Sequence, residues 1–509
     1  MLKTVIAMLV AAFTCVTATS ARAEWQAAES PHFIIISKSP RAQIEKLATD
    51  LESYDRLMRM ATSIRDDQQP VKVRIYEVDG MQNIQAALGL DSDSGVAGFY
   101  DSNSLGPFLV TPRKTGHESE EFGPGLVLHH EYAHHFMLEY FPASYPGWYV
   151  EGFAELIGSS KVLPDGRIGY GMPAKHRGHD IAAEWVPLQE LLTKEKVWGL
   201  DTYAQGWALT HFLTFDNHRA SQLRDYLRAL TAGKSPAEAA RTFGDLSAFN
   251  LEARRYVTSG SFAYRPIKVE ISQPVIQSIR PLSAGEAVLI PEVIAYRDDD
   301  LTQIKKIGWR ERESRLRQTN LKRIRDKAQR FANDPFALYF LTQAEEAAGN
   351  YAAAEAAADR LLLIQPNHAG AMASKSLALS RAAAALSGPA RSQMAAAARR
   401  LAVKANKADA NDPLPLVAFY QSFHAAGEKV PNAAVEGLAA VVETLPGNTH
   451  FRQMLVDEFV AQKRWASAIR VLAPLANNPH DSPLRDAARE QMAKLRAELA
   501  KQGASAPAA

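Results

Sequence analysis

The sequence predicts two unlike parts: an α+β domain over residues 24–265 and an all-α domain of stacked helices over residues 333–500. Three observations predict this. Strand-like stretches with period-two patterning alternate with helical ones before residue 265, a histidine-rich helix lies at their centre, and alanine-rich helices punctuated by proline fill the later part. A chain of 509 residues exceeds what one core ordinarily organises, and 47% apolar residues can fill more than one. The balance of 58 basic against 56 acidic residues, a net +2, gives no electrostatic reason to bind nucleic acid.

The first 23 residues, MLKTVIAMLVAAFTCVTATSARA, combine Lys3, an apolar run and the small-x-small ending Ala21-Arg22-Ala23. They are expected to be a secretory signal cleaved after Ala23, placing the protein in the periplasm or outside the cell. The one cysteine, Cys15, lies inside that segment, so the mature chain must hold any metal through nitrogen and oxygen. No later stretch approaches about 20 uninterrupted apolar residues, so no transmembrane segment is expected after cleavage.

In the α+β part, "SPHFIIISKSP" reads as a strand, residues 40–63 as an amphipathic helix and "VKVRIYEV" (71–78) as a second strand. A short helix over 81–88 and a hairpin from Gly95 to Val110 complete a small mixed sheet, whose edge strand is expected to pair with an extended peptide. "GLVLHHEYAHHFMLEY" (125–140) follows as a helix, then "KVLPDGRIGYG" (161–171) as a hairpin turning at Asp165-Gly166. Helical patterning resumes in "VPLQELLTKE" and "YAQGWALTHFLTF" and continues to about residue 258. Residues 266–332 read as a strand-rich connector (266–297) and a basic helix, whose eleven Lys and Arg between 305 and 330 form a solvated face rather than an anion-binding one.

In residues 333–500, Pro413, Pro446 and Pro479 recur every 33 residues, and Pro335 and Pro366 lie 31 apart. Each interval holds two helix-like halves split at residues such as Gly349-Asn350 or Lys463-Arg464. This layout resembles degenerate tetratricopeptide (TPR) repeats, which implies a superhelix with a concave face for a peptide or protein partner. Residues 501–509 read as a disordered tail.

Two metal ligands on one helix must be three or four residues apart to share a face. Among His129, His130, His134 and His135, the pair spaced by four is His130 and His134, and Glu131 makes the pattern His-Glu-x-x-His. Neutral imidazoles leave a bound zinc a Lewis acid, and the adjacent carboxylate serves as the base that makes water a nucleophile. A carboxylate for a third ligand could come from the helix that starts at Pro146-Gly147 in "YPGWYVEGFAELIG", where Glu151 lies 17 residues after His134 and Glu155 shares its face. His129 is read as a wall or supporting residue, His135 as a hydrogen-bond partner of Glu131, and Tyr132 as core packing. His176, Arg177 and His179 could line the cleft but are read first as a solvated loop.

His-Glu-x-x-His followed within about twenty residues by Trp-x-x-Glu-Gly-x-Ala-Glu resembles the gluzincin metallopeptidases, particularly the peptidase MA-like group of secreted bacterial proteins. The resemblance is one of layout over residues 30–220 and is motif-specific over 129–155. It implies a zincin-like fold, one zinc ion per chain on His130, His134 and Glu151, Glu131 as general base, and Glu155 orienting the first histidine. Related enzymes place a tyrosine or histidine downstream to stabilise the oxyanion. Tyr203 is the expected donor here and His211 the alternative. Aminopeptidases of the class carry a Gly-x-Met-Glu-Asn segment that is absent between residues 90 and 128, so an exported endopeptidase is expected. The alternatives are a TPR scaffold with an inactive or structural zinc site, and a zinc amidase acting on a non-peptide cell-wall amide.

Overall fold

The structure, a computed structural model, describes residues 24–65, 71–91, 94, 96–114, 123–142, 145–178, 180, 185–194, 201–478 and 482–504. The signal-like residues 1–23, His179 and the tail beyond 504 lie outside them. No helix of the described residues is long and apolar enough to cross a membrane.

The first part contains strands β1 (Gln26–Glu29), β2 (Phe33–Ser37), β3 (Val73–Val78), β4 (Phe99–Asn103), β5 (Gly106–Pro112), β6 (Lys161–Val162), β7 (Ile168–Tyr170), β8 (Arg265–Ile267) and β9 (Ser278–Pro281). Its helices are α1 (Arg41–Thr62), α2 (Met81–Leu88), α3 (Pro124–Tyr140), α4 (Gly147–Gly158), α5 (Leu188–Leu191), α6 (Asp201–Phe215), α7 (Arg219–Thr231), α8 (Pro236–Ala240) and α9 (Leu246–Ser259). A six-stranded mixed sheet runs β4-β5-β3-β2-β1-β9, parallel at β2·β3 and β3·β5 and antiparallel elsewhere. Both faces are covered, so apolar residues run on consecutively, as in Phe33-Ile34-Ile35-Ile36. Phe33, Ile35, Val73, Ile75 and Leu109 face α1 and α3, while Ile36, Tyr76, Val78, Phe108 and Val110 face the opposite side.

That opposite side is covered by residues the sequence placed beyond the domain. The expected strand-rich connector yields β8 and β9 and then a helix, α10 (Ala284–Ile294). Ser283 and Glu286 start it with a capping box: the Glu286 N–H donates to Ser283 Oγ at 3.0 Å and the Ser283 N–H to Glu286 Oε2 at 2.9 Å. Its Leu289, Ile290, Val293 and Ile294 pack on the sheet together with Leu321 and Ile324 of α11 (Ile307–Arg330) and Phe340 of α12 (Pro335–Ala347). The basic helix α11 is otherwise mostly exposed, and Arg325 and Lys327 pair with Glu345 and Glu292. One core therefore runs across the expected boundaries at 265 and 333.

Beyond α12 lie α13 (Tyr351–Ile364), α14 (Ala369–Ala384), α15 (Gly388–Ala408), α16 (Leu414–Ala426), α17 (Asn432–Thr444), α18 (Thr449–Ala461), α19 (Trp465–Ala476) and α20 (Pro483–Ala504). Short loops make successive helices antiparallel neighbours, so α12 to α19 form four pairs followed by α20. Helix α20 continues to Ala504, so residues 501–504, expected to be part of a disordered tail, are helical. Asp334 and Asn448 cap α12 and α18 by accepting the N–H groups of Ala337 and Phe451.

Gln343, Arg381, Gln421 and Met454, from the first helix of each pair, line a cavity of ≈ 580 Å³. Asp298 to Thr302 line the same cavity, so the inner face of the array, expected to dock a partner, meets the chain's own connector. The shared core makes a falsifiable demand on stability. Phe340 is fully buried and its ring meets Tyr296 edge-on with centroids 5.4 Å apart. Phe340→Ala should cost about 3–5 kcal/mol and shift the unfolding of sheet and array together in urea; loss of the array signal alone would show two separate cores.

Candidate metal centre

Pro124 opens α3 at its first position, where the missing N–H is no loss, and the helix carries its histidines past the sheet. Helix α4 returns beside it. Gly158 allows this approach, since a Cβ there would stand 3.2 Å from Leu126 O and 3.4 Å from His130 Cβ. Helix α6 crosses α4 more closely still. A Cβ at Gly206 would lie 2.5 Å from Trp148 O, and one at Gly152 would collide with the Gly206 carbonyl, so only glycine fits both positions.

These crossings bring His130, His134 and Glu151 together in the interior. His130 Nε2 and His134 Nε2 are 3.2 Å apart, and Glu151 Oε2 is 3.3 Å from the first and 3.7 Å from the second. Ligands about 2.0–2.1 Å from a tetrahedral zinc sit about 3.3 Å from one another. The triangle therefore has the size of one face of a zinc tetrahedron, and its two nitrogens and one carboxylate oxygen are the donor set of catalytic zinc sites.

The electrostatics also suit a cation. Burial alone would pull the His130 imidazole down, but Glu151, Glu155 and Glu131 outweigh it and raise its pKa to about 9 in the metal-free chain. Glu155 Oε1 lies 3.5 Å from His130 Nδ1, the nitrogen facing away from the triangle. Burial would push the Glu155 carboxyl up, yet the His176 hydrogen bond, His130 and Arg177 together hold it at about 2. His176 Nε2 approaches Glu155 Oε2 at 2.8 Å, and Arg177 donates through Nη2 at 2.7 Å and Nε at 3.1 Å. The loop expected to be solvated thus supplies two site-supporting residues. The one available signal was the adjacent His176 and Arg177 just after a hairpin, which does not reveal the loop's path.

Glu131, on the flank of the triangle, accepts the backbone N–H of Tyr100 at 3.1 Å. Tyr203 stacks on His130 with centroids 6.1 Å apart and carries the Arg177 guanidinium 5.0 Å over its ring. Burial, then the charges of Glu151 and Glu131, raise its phenol, so its O–H stays available as a donor at neutral pH. The alternative, His211, turns Nε2 to Gly171 O at 2.8 Å and Nδ1 to Tyr256 Oη at 2.7 Å, deep among aromatic rings. With both nitrogens engaged there, it is not a donor at the triangle.

Three further expectations need correction. His135 does not bond to Glu131; its Nδ1 lies 3.2 Å from Tyr100 Oη, and burial alone lowers its pKa to about 3. His129 is not a wall of the site, for it points backwards to Asp50 at 2.7 Å and stacks on Tyr54. Tyr132 is core packing as read, with its hydroxyl donating to Asp55. Strand β4 is an edge strand, but its outward N–H groups are already engaged. Tyr100 donates to Glu131, Ser102 to the Asp101 carboxylate at 2.8 Å and Ser104 to Asp298 at 2.7 Å. An extended peptide would have to displace all three.

No family model and no curated protein matches the chain. Solved structures similar to part of it include two TPR-type or related chains. A thermophilic TPR protein of Thermus thermophilus is 17% identical over 39% of this chain and 99% of that one, with a TM-score of 0.31. A double mutant of MamA RS-1 is 17% identical over 38% of this chain and 96% of that one, with a TM-score of 0.23. Likenesses of this size carry no conclusion about the site, which stands on its own geometry.

The contacts of Glu155 define its test. Glu155→Ala should weaken zinc binding about 10–100-fold in chelator competition, with the triangle's own side chains intact. Unchanged affinity would mean that Glu155 only anchors the 175–177 turn.

Proposed function

We propose that the chain is an exported zinc-dependent peptidase with a gluzincin-type site on a zincin-like domain, extended by a TPR-like helical array. The observation that carries this reading is the zinc-sized triangle of His130, His134 and Glu151 with a carboxylate, Glu131, on its flank. A structural zinc site has four protein ligands and no use for a base; three ligands with a base beside them suit a position left open for water and substrate. Zinc held there would supply the Lewis acid that lowers the pKa of water and polarises a carbonyl.

The chain's own residues perform the remaining tasks. Glu131 takes the proton from the attacking water and passes it to the departing amine. Tyr203, kept protonated, donates to the oxyanion that forms on the attacked carbonyl. Glu155 holds the His130 ring in place, and His176 and Arg177 hold Glu155. With no Gly-x-Met-Glu-Asn segment to bind a free amino terminus, cleavage within a chain is the proposed form.

Two variants test the assignment in the full-length protein, with zinc quantified and unfolded proteins as substrate. Glu131→Gln should keep one zinc and lose about 10²–10⁴-fold in kcat; equal cleavage would remove Glu131 from the mechanism. Zinc binding without cleavage even by the wild type would leave a scaffold in place of an enzyme. Tyr203→Phe should lower kcat about 10²–10³-fold with KM and zinc content nearly unchanged, and a rise in KM alone would make it a packing residue.

A further inference from the structure

We propose that the C-terminal helical array builds one wall of the substrate pocket, and that this pocket selects a peptide with a leucine-sized apolar side chain beside the cleaved bond. The inference rests on the peptidase reading and goes beyond it in naming what is cleaved and which distant segment decides it.

A cavity of ≈ 120 Å³ opens beside Glu131 and His134. Met137, Leu138, Phe141, Tyr145 and Val150 line its near side. Its far side is formed by Pro474, Asn477 and Asn478, at the end of α19 and more than three hundred residues away in sequence. An apolar protein cavity of about 150 Å³ accepts benzene, so the space here suits an aliphatic side chain. Its lining combines these apolar side chains with a few polar ones, Glu131, His134, Tyr100 and the two asparagines, as in a pocket that binds by burial and orients by a few fixed groups. Asn477 is fixed because its Nδ2 donates to Ala473 O at 2.9 Å where the helix stops.

Two contacts hold the array where it forms this wall. Gly447, between α17 and α18, sits against β4 so tightly that a Cβ would collide with Tyr100 Oη and stand 2.9 Å from Ser102 Cβ. Asp298, in the connector under the array, accepts the N–H of Ser104 in the turn that follows that strand. The array and connector are thus seated on the strand that would otherwise hold substrate backbone, and the outward N–H groups of that strand are taken. Side-chain burial is left as the main source of discrimination. A hydrophobic pocket distinguishes side chains that differ by a methylene by about 10–200-fold.

The experiment uses full-length, zinc-loaded wild type, Asn477→Phe and Leu138→Phe, which narrow the cavity from opposite walls. Each is given two synthetic peptides differing only in leucine or alanine beside the scissile bond, the bond being located first by mass spectrometry of a digested peptide library. The wild type should favour leucine by about tenfold or more in kcat/KM, and both variants should lose that preference by about tenfold while still cleaving the alanine peptide. If Asn477→Phe keeps the wild-type preference while Leu138→Phe loses it, the array is no part of the pocket and the proposal falls alone. A wild type indifferent to leucine and alanine overturns it as well. A zinc-loaded wild type that cleaves nothing overturns the peptidase reading and this inference with it. Asn477 has a negative φ of −104°, open to any residue, so Asn477→Leu gives the same comparison should the phenylalanine variant fail to fold.

Discussion

Glu131, Glu151 and Glu155 bring three carboxylates into one buried region, with Glu151 and Glu155 each 1% exposed, and the surrounding structure must compensate that charge. Burying even one ion without a partner costs several kcal/mol. Arg177 and His176 answer Glu155, which fixes the turn after β7 and explains why that segment cannot be a solvated loop. The remaining negative charge faces the imidazole nitrogens of His130 and His134, where a divalent cation would complete the balance.

Such a concentration of charge survives only if the helices carrying it cannot move apart or admit water. Gly152 and Gly206 let α4 and α6 touch backbone to backbone, and a single added methyl group at either would have to force the crossing open. Overpacking of that kind commonly costs about 1–3 kcal/mol. On the other side of α3, Asp55 receives Arg59 Nε at 2.6 Å and the Tyr132 hydroxyl at 2.7 Å, tying the histidine helix to α1. The ligand positions are set by these neighbours more than by the helix that contains them.

Local patterns carried much of this into the sequence. Helical geometry selects His130 and His134 from four histidines, and the Pro-Gly break before Glu151 marks a second helix that must fold back; both are short-range facts. Strands β2 to β5, α1 and the paired helices were legible for the same reason, whereas β1 and the return of β9 to the sheet were not. Helix α10 was obscured because Val288, Ile290, Val293 and Ile294 suggest a strand, although the Ser283-x-x-Glu286 cap was present to be read. The engagement of Glu155 by His176 and Arg177, the bond of Ser104 to Asp298 across 194 residues, and the approach of Asn477 to the site were not legible. Each depends on where a loop or a distant helix ends in space, and no periodicity records that.

The shared core has a consequence in time. A chain made from its amino end has its proposed zinc ligands by residue 151 and Tyr203 soon after, but the strand that completes the sheet begins at Ser278 and the helices covering its second face extend to Ala347. Until those residues emerge, the apolar side of the sheet has no cover, and the proposed pocket lacks its outer wall until Asn478 has been made. A nascent chain built this way has its site residues before it has a stable frame to aim them, so the assembled site is deferred until the whole polypeptide has been made.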